Sequence, residues 1–454
     1  MSHLLVYHMR FFFLPVVADT GLLWGKEIVM ATQPSPRLNL TQLKLQAKEL
    51  LQAHRTGAAT AVVRLQRYLP GLAQADKVQM RAYDLALSQA QLVIARENGF
   101  DSWPKLKQHI AAANAVPKSR FDQAVEAIIT GAADALQGLL QDEPELVQAR
   151  SQSGHRAQLL HYVAANGIEN ELQRSPANAV EVACILLQAG AQVDALAETY
   201  GGGSRQTTLN LLVSSVHPAR AGVQADLVEV LADAGAALEG LKDDGSPLQT
   251  AIDFGYLATA RMLVAKGARI RSLRAAAGLG RLDWMEDFFA AAPKGDLSRE
   301  MAGALAAACR HGQVEAASFL LDRGADINAQ PGKSGTALHE AIFANRIDVA
   351  RLLLQHGASL DVEHAVYAAT PLDFASYNGR RAMVEMLLQH GAAELQKPLY
   401  SAVQQGHGEI TRLLLLRGAA VEAARQLARE RGDEGMLALL EEIGKESLEN
   451  SNKE

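Results

Sequence analysis

Cysteine is almost missing from this 454-residue chain, which has only Cys184 and Cys309. Two thiols cannot build a disulfide framework or a four-cysteine zinc site, so a small secreted scaffold held by bridges is excluded. Aromatic residues are scarce as well, at 5% within a hydrophobic total of 48%. The apolar fraction is therefore mostly aliphatic and small. Strands draw on aromatic and β-branched side chains, so this composition favours closely packed helices over an all-β sandwich. The same 48% is ample for a core and excludes disorder as the main state. Charge of one sign is lacking too. Lys and Arg number 44 against 50 Asp and Glu, a net of −6, so no global field advertises nucleic acid or an anionic membrane. Nothing in the composition announces a cofactor.

The balanced total hides an asymmetry. Residues 37–120 hold 13 Lys and Arg against 5 Asp and Glu, whereas residues 121–454 hold 29 against 43. A basic module thus precedes a long acidic one. Ahead of both, residues 1–36 read as an extension that is disordered or not translated, with Met30 as the alternative start. Its apolar run after Arg10, Phe11 to Ala18, is far shorter than the ~20 residues of a membrane span. As a signal peptide it has one preceding charge and an internal Pro15, so the cytoplasm is the expected compartment.

Within residues 37–117, Leu40, Leu43, Ala47, Leu50 and Leu51 fall at helical spacing, as do Ala61, Val62, Leu65 and Leu69. Tyr83 to Glu97 reads as a helix, Asn98 to Ser102 as a break, and Trp103 to Ala113 as another helix. Pro117 marks the seam.

Beyond the seam the chain repeats. An apolar run ending in Gly-Ala recurs at Gly190, Gly235, Gly267, Gly324, Gly357, Gly391 and Gly418, at intervals of 45, 32, 57, 33, 34 and 27 residues. The 57 leaves room for a degenerate unit with Pro293 in place of the glycine. A second marker precedes most of these glycines by about 20 residues: Thr336-Ala337-Leu338-His339-Glu340-Ala341, Thr370-Pro371-Leu372-Asp373-Phe374-Ala375, Ser246-Pro247-Leu248 and Lys397-Pro398-Leu399. Ser or Thr caps free N–H groups at a helix start, and Pro fits the first turn. Lys397 departs from that rule. The glycine suits a left-handed helix stop. Each unit therefore reads as helix, tight turn, helix, glycine stop and loop.

These units resemble ankyrin repeats, with their period of 33 and Thr-Pro-Leu-His-x-Ala core. The likeness is best over 325–419, fair over 159–268 and poor over 270–304. Phe121 to Gln148 looks like a degenerate first unit and Val421 to Ile443 like a cap, with a polar tail over 444–454. The block Leu159 to Gly167, with Tyr200-Gly201-Gly202-Gly203, Thr207-Thr208-Leu209 and His217-Pro218, is similar to a group of bacterial ankyrin-repeat proteins that share an inserted second repeat. The resemblance implies an all-α solenoid of nine to ten helix-turn-helix units over 118–443, and a monomer that holds another protein on its concave face. The inner-helix and loop positions that would touch that partner are Tyr162, Asn166, Thr250, Phe254, Glu340, Phe343, Phe374, Tyr377, Asn378 and Gln405. About half of them should be exposed, the rest packing between units.

Other chemistry is thinner. His161 and His339 stand at the helix-start position of the repeat and should bond within or between units. His356 and His390 precede a helix-ending glycine, where positive charge suits the dipole. No spacing of His or Cys suggests a metal. Cys309 occupies a small-residue position and reads as buried. Gly201, Gly202 and Gly203 could form a phosphate-holding loop, but no strand is expected before them and the P-loop pattern is absent. Ser214, Ser215, His217 and Arg220 beside them make the nearest approach to a hydrolytic or ligand site, without a placed acid. In the basic module Arg96, Lys105, Lys107 and His109 on a helix pair outline a nucleic-acid reader. Docking on the acidic solenoid explains the same charge, and Trp103 reads as core. The protein is expected to be no enzyme.

Overall fold

The computed structural model describes residues 40–451, apart from 56–58, 74, 76–78, 81, 82, 84, 116, 117, 200–203, 292–296 and 333. The extension at 1–36 and the seam at Pro117 lie outside the described residues.

The basic module has its own core. Leu43, Ala47 and Leu50 form one stripe of the helix Leu40–Arg55, and they bury against Leu65 of Ala59–Tyr68 and Ala90, Val93 and Ile94 of Leu87–Glu97. Leu106 and Ile110 close it from Trp103–Ala115, with Trp103 packed at its margin. The third helix starts at Leu87 rather than Tyr83, because Tyr83 is held outside it: His54 Nε2 donates to its carbonyl at 2.8 Å.

From Arg120 the described helices form ten pairs, with one further short α-helix, Val216–Arg220, between the two members of the third pair. They are Arg120–Thr130 with Ala133–Asp142, Leu159–Val163 with Ala179–Gln188, Thr208–Leu212 with Gln224–Asp233, Ser246–Asp253 with Leu257–Ala265, and Leu273–Leu279 with Leu282–Ala291. Then follow Ser298–His311 with Val314–Asp322, Ala337–Phe343 with Ile347–Gln355, Pro371–Tyr377 with Arg381–Gln389, Gln396–Gln405 with Gly408–Leu416, and Val421–Arg431 with Glu434–Ser451. The last helix runs past the boundary placed at 443. Every first helix packs on the first helix of the next pair, so they form one continuous inner layer. The second helices form the outer layer, with Leu257–Ala265 and Leu282–Ala291 its most loosely packed neighbours. No single pair could bury its apolar face alone, and stacking supplies one elongated core.

Small residues set how closely the inner layer packs. Leu273–Leu279 reads Leu-Arg-Ala-Ala-Ala-Gly-Leu, and a Cβ on Gly278 would sit 2.9 Å from Ile252 Cγ2. Across this thin helix the neighbours reach each other directly: His311 Nε2 donates to the Ile252 carbonyl at 2.8 Å, and Arg310 to that of Asp253 at 2.9 Å. The seven Gly-Ala glycines all have φ between 80° and 106°, the left-handed stop their position requires.

Helix starts follow the capping rule less uniformly than the sequence implies. Thr370 accepts from the N–H of Asp373, as expected. Ser246 lies inside its helix, and Asp244 takes its N–H instead. At Lys397, Glu394 accepts the N–H groups of Gln396 and Lys397, so a carboxylate two and three residues upstream replaces the missing hydroxyl. The expectation that no strand precedes the glycine run is corrected. Ala197–Thr199 pairs antiparallel with Ser204–Gln206, in the register Ala197 with Gln206 and Thr199 with Ser204. Three-residue strands are too short to leave a period in the sequence. This one is held because Glu198 N–H donates to the His155 carbonyl at 2.7 Å.

Candidate functional site

The histidines of the repeat are built into the backbone. His339 Nε2 donates to the Ala369 carbonyl of the next unit at 3.0 Å, while its Nδ1 takes the Thr336 N–H at 3.3 Å. His161 does the same with Ala195, at 3.0 Å, and the Gln158 N–H, at 3.2 Å. These partners select the neutral Nε2–H tautomer. Burial then holds both rings at a pKa of about 4, only partly offset by the carbonyl bonds. His356 and His390 each turn Nδ1 to the carbonyl four residues back, at 2.9 and 2.8 Å. Cys309 is fully buried, and desolvation pushes its thiol up, away from the thiolate chemistry needs.

The ten residues expected at the partner surface divide. Tyr162, Glu340 and Phe374 are corrected to interior positions, at 2%, 5% and 3% exposure. Tyr162 is edge-on to Phe121 and His155. Glu340 is paired with Arg310 at 2.5 Å. Phe374 stacks with His364, at 5.6 Å between ring centroids, and with Tyr367, at 6.2 Å. They are buried because the inner helices approach closely enough to enclose a ring, which a one-dimensional pattern does not record. Asn166 is a strut between units, donating to Leu211 O at 3.1 Å and Ser214 Oγ at 2.9 Å. Asn378 closes its own helix on the Phe374 carbonyl at 2.7 Å. Thr250, Phe254, Phe343 and Tyr377 are half-buried, and Gln405 is exposed. Arg310 lies over the Phe343 ring at 5.8 Å, while Phe343 tilts onto Phe374 at 6.4 Å. Phe343 and Tyr367 therefore lie against one buried ring, and Tyr377 stands near Tyr367, which adds to burial in raising its phenol pKa. Sequence reasoning missed Tyr367 and Arg310. Tyr367 sits in a loop rather than on the inner helix, and Arg310 stands near the end of Ser298–His311, outside the helix-start marker.

The set around the inserted unit does not assemble as a hydrolytic site. Ser215 is buried, and its hydroxyl donates to the Ala165 carbonyl at 3.2 Å; Ser214 donates to Leu211 O at 3.2 Å. Both hydroxyls are thus turned to backbone rather than to His217. Burial and the nearby Arg220 lower the pKa of His217. Gly201, Gly202 and Gly203 lie outside the described residues. A groove of about 480 Å³ runs elsewhere, between the first two helices of the array, lined by Ala127, Ala132, Ala135 and Leu139 with Glu126 and Asp142. No serine, cysteine or histidine lines it.

In the basic module part of the charge is engaged within the module. Arg64 forms a two-bond pair with Glu97 at 2.7 and 2.6 Å, Arg96 donates to the Tyr68 carbonyl, and Lys105 pairs with Asp101 at 2.6 Å. Lys107 and His109 are exposed on the last helix. Among the described residues no group of His, Cys, Asp and Glu could hold a metal ion, and no helix is long and apolar enough to cross a membrane.

Comparison with known proteins identifies the repeat. A family model of ankyrin repeats in three copies matches residues 273–364 and again 304–397. The chain carries ankyrin repeats, and its fold is the all-α solenoid such repeats build. It is similar to ankyrin repeat and KH domain-containing protein mask-1 of Caenorhabditis elegans, 29% identical over 227 residues, which are 48% of this chain and 8% of that one. Ankyrin repeat and SOCS box protein 6 of Homo sapiens is 36% identical over 126 residues, 25% of this chain and 30% of that one. NF-kappa-B inhibitor cactus of Drosophila melanogaster is 38% identical over 93 residues, 20% and 19% of the two chains. The chain thus spans less than a third of these curated relatives. The family match begins at Leu273, so it includes the stretch to Ala304 where the likeness to the repeat core is poor.

Proposed function

We propose that this protein is a non-enzymatic interaction scaffold or adaptor that holds one protein partner on the concave, inner-helix face of its solenoid. The observation that carries this reading is the gathering of Phe343, Tyr377 and Tyr367, all half-buried, on consecutive units. Rings of this kind dominate interface energetics because they bury large area with few torsions to freeze. Ankyrin repeats in relatives named as an inhibitor and as a SOCS box protein point the same way. Affinity capture with residues 30–454 as bait, after nuclease treatment, tests it. A single stoichiometric protein should be retained and lost from a bait carrying Phe343→Ala, Tyr367→Ala and Tyr377→Ala. Retention that survives those changes, or that disappears with nuclease, overturns the reading. The hydrolytic alternative at Ser215 is disfavoured by its bond to Ala165, and the nucleic-acid alternative by the internal engagement of Arg64 and Arg96.

A further inference from the structure

The loop between Ala358 and Thr370 carries more charge and apolar surface than joining two helix pairs requires. Val366 at its tip is 55% exposed, and the adjacent Tyr367 stacks on Phe374 with 23° between ring planes. Asp361, Glu363 and Glu394 are exposed around it, with Asp373 buried beneath. Lys397 is the cation that the described ion pairs place among these carboxylates. Its Nζ lies 3.5 Å from Glu363 and 3.7 Å from Asp373 and donates to the Ala368 carbonyl. One ammonium therefore serves several acids, and it stands where the preceding unit has Thr370. Two arginines of the same units lie at the other end of the inner helices. Arg346 and Arg380 turn toward the carbonyls of Arg310, at 3.3 Å, and Phe343, at 3.4 Å. This unit is thus acidic at its loop end, while these two basic groups are occupied by backbone at the opposite end.

We propose that this loop end, Asp361 to Tyr367 with Tyr377 beside it, receives a basic, partly aliphatic segment of the partner. Lysine or arginine side chains of the segment meet Asp361 and Glu363, and an aliphatic side chain packs on Val366 and Tyr367. The inference rests on the concave-face reading and adds the chemistry of the partner. Opposite charge steers and orients such a segment, and the ring and valine supply the desolvated contact that holds it. The array as a whole matches this sense, with 43 acidic against 29 basic residues from 121 onward.

The test uses the full chain and three fluorescein-labelled peptides of equal length, alternating lysine with leucine, glutamate with leucine, and lysine with serine. Anisotropy should show the lysine–leucine peptide binding best and weakening as salt rises. Tyr367→Ser with Glu363→Gln should weaken it by about tenfold. Glu286→Gln with Asp287→Asn, on the outer helix Leu282–Ala291, should leave it unchanged. If the double loop variant fails to fold, the exposed Glu363→Gln alone should still weaken binding, by about threefold. The proposal is overturned if the glutamate peptide binds equally well, if the outer-helix variant weakens binding as much as the loop variant, or if no peptide binds. Absence of peptide binding with capture still dependent on Phe343 and Tyr377 would remove the basic segment and leave the concave-face reading standing. Loss of both would remove both.

Discussion

The regular unit at 336–355 and the unit at 158–188, which opens the block with the insertion, show what an ankyrin step needs. In the regular unit the first helix, Ala337–Phe343, is followed after three residues by Ile347–Gln355. In the other Leu159–Val163 is followed by fifteen residues, including a turn at Asn170–Leu172, before Ala179–Gln188 begins. Yet His161 and His339 make the same two bonds, one back to the helix start and one forward to the next unit. The imidazole at the third helical position takes the role a glutamate has in a capping box, with a second nitrogen left to reach the neighbour. The step is therefore defined by the helix start and its link forward. The connection after the first helix is open to insertion, since a longer loop costs little more closure entropy.

Acid should affect both units through these rings, with the largest effect. Four buried histidines, His161, His311, His339 and His364, are each held at about 4 rather than 6.5, chiefly by desolvation. A folded value below the unfolded one means their contribution is complete above pH 6.5 and is lost as pH falls toward 4. Stability should drop by several kcal/mol over that window, on the order of 2 kcal/mol per ring, as read by urea titration at stepped pH. A flat profile would mean that the rings are solvated.

Removing single rings sharpens the comparison. His339→Ala and His161→Ala should each cost about 3 kcal/mol, because each strands a buried carbonyl and an N–H and leaves a cavity. A cost below about 1 kcal/mol at His161 alone would show that its unit is not coupled to the next one. Next comes the residue before the helix start, where the two units differ. A Cβ on Gly335 would lie 2.5 Å from His339 Cβ and 2.8 Å from His364, so Gly335→Ala should cost about 2 kcal/mol. The other unit already has Ala157 there, and Ala157→Gly should cost only about 1 kcal/mol by thermal melting. The smallest effect is expected at Ser215→Ala, about 1 kcal/mol or less, from the lost bond to Ala165. Rescue of that variant by Thr but not Cys would support the bond; an effect on some turnover instead would reopen the hydrolytic reading.

Much of the fold is legible in the sequence. The Gly-Ala stops, the apolar runs before them and the Ala-rich helices mark the helix pairs, because a solenoid repeats each packing problem locally. The surface is less legible. Glu340, Phe374 and Tyr162 occupy positions that face outward in a repeat drawn alone, but a neighbouring unit covers them. Tyr367 gives no periodic signal at all, since it lies in a loop. Lys397 stands out in the sequence as a poor cap; only the stacked units show its ammonium beside Glu363 and Asp373 and its capping role passed to Glu394.

By itself the sequence determined the class of this protein: helices from composition, repeats from period, an acidic array behind a basic module from charge. Those properties are local or additive, so a linear reading reaches them. Tertiary structure decided which rings are buried, which hydroxyls are turned to backbone and which acids share the Lys397 ammonium. These depend on how closely consecutive inner helices approach, and that distance is set by pairs of side chains some thirty residues apart.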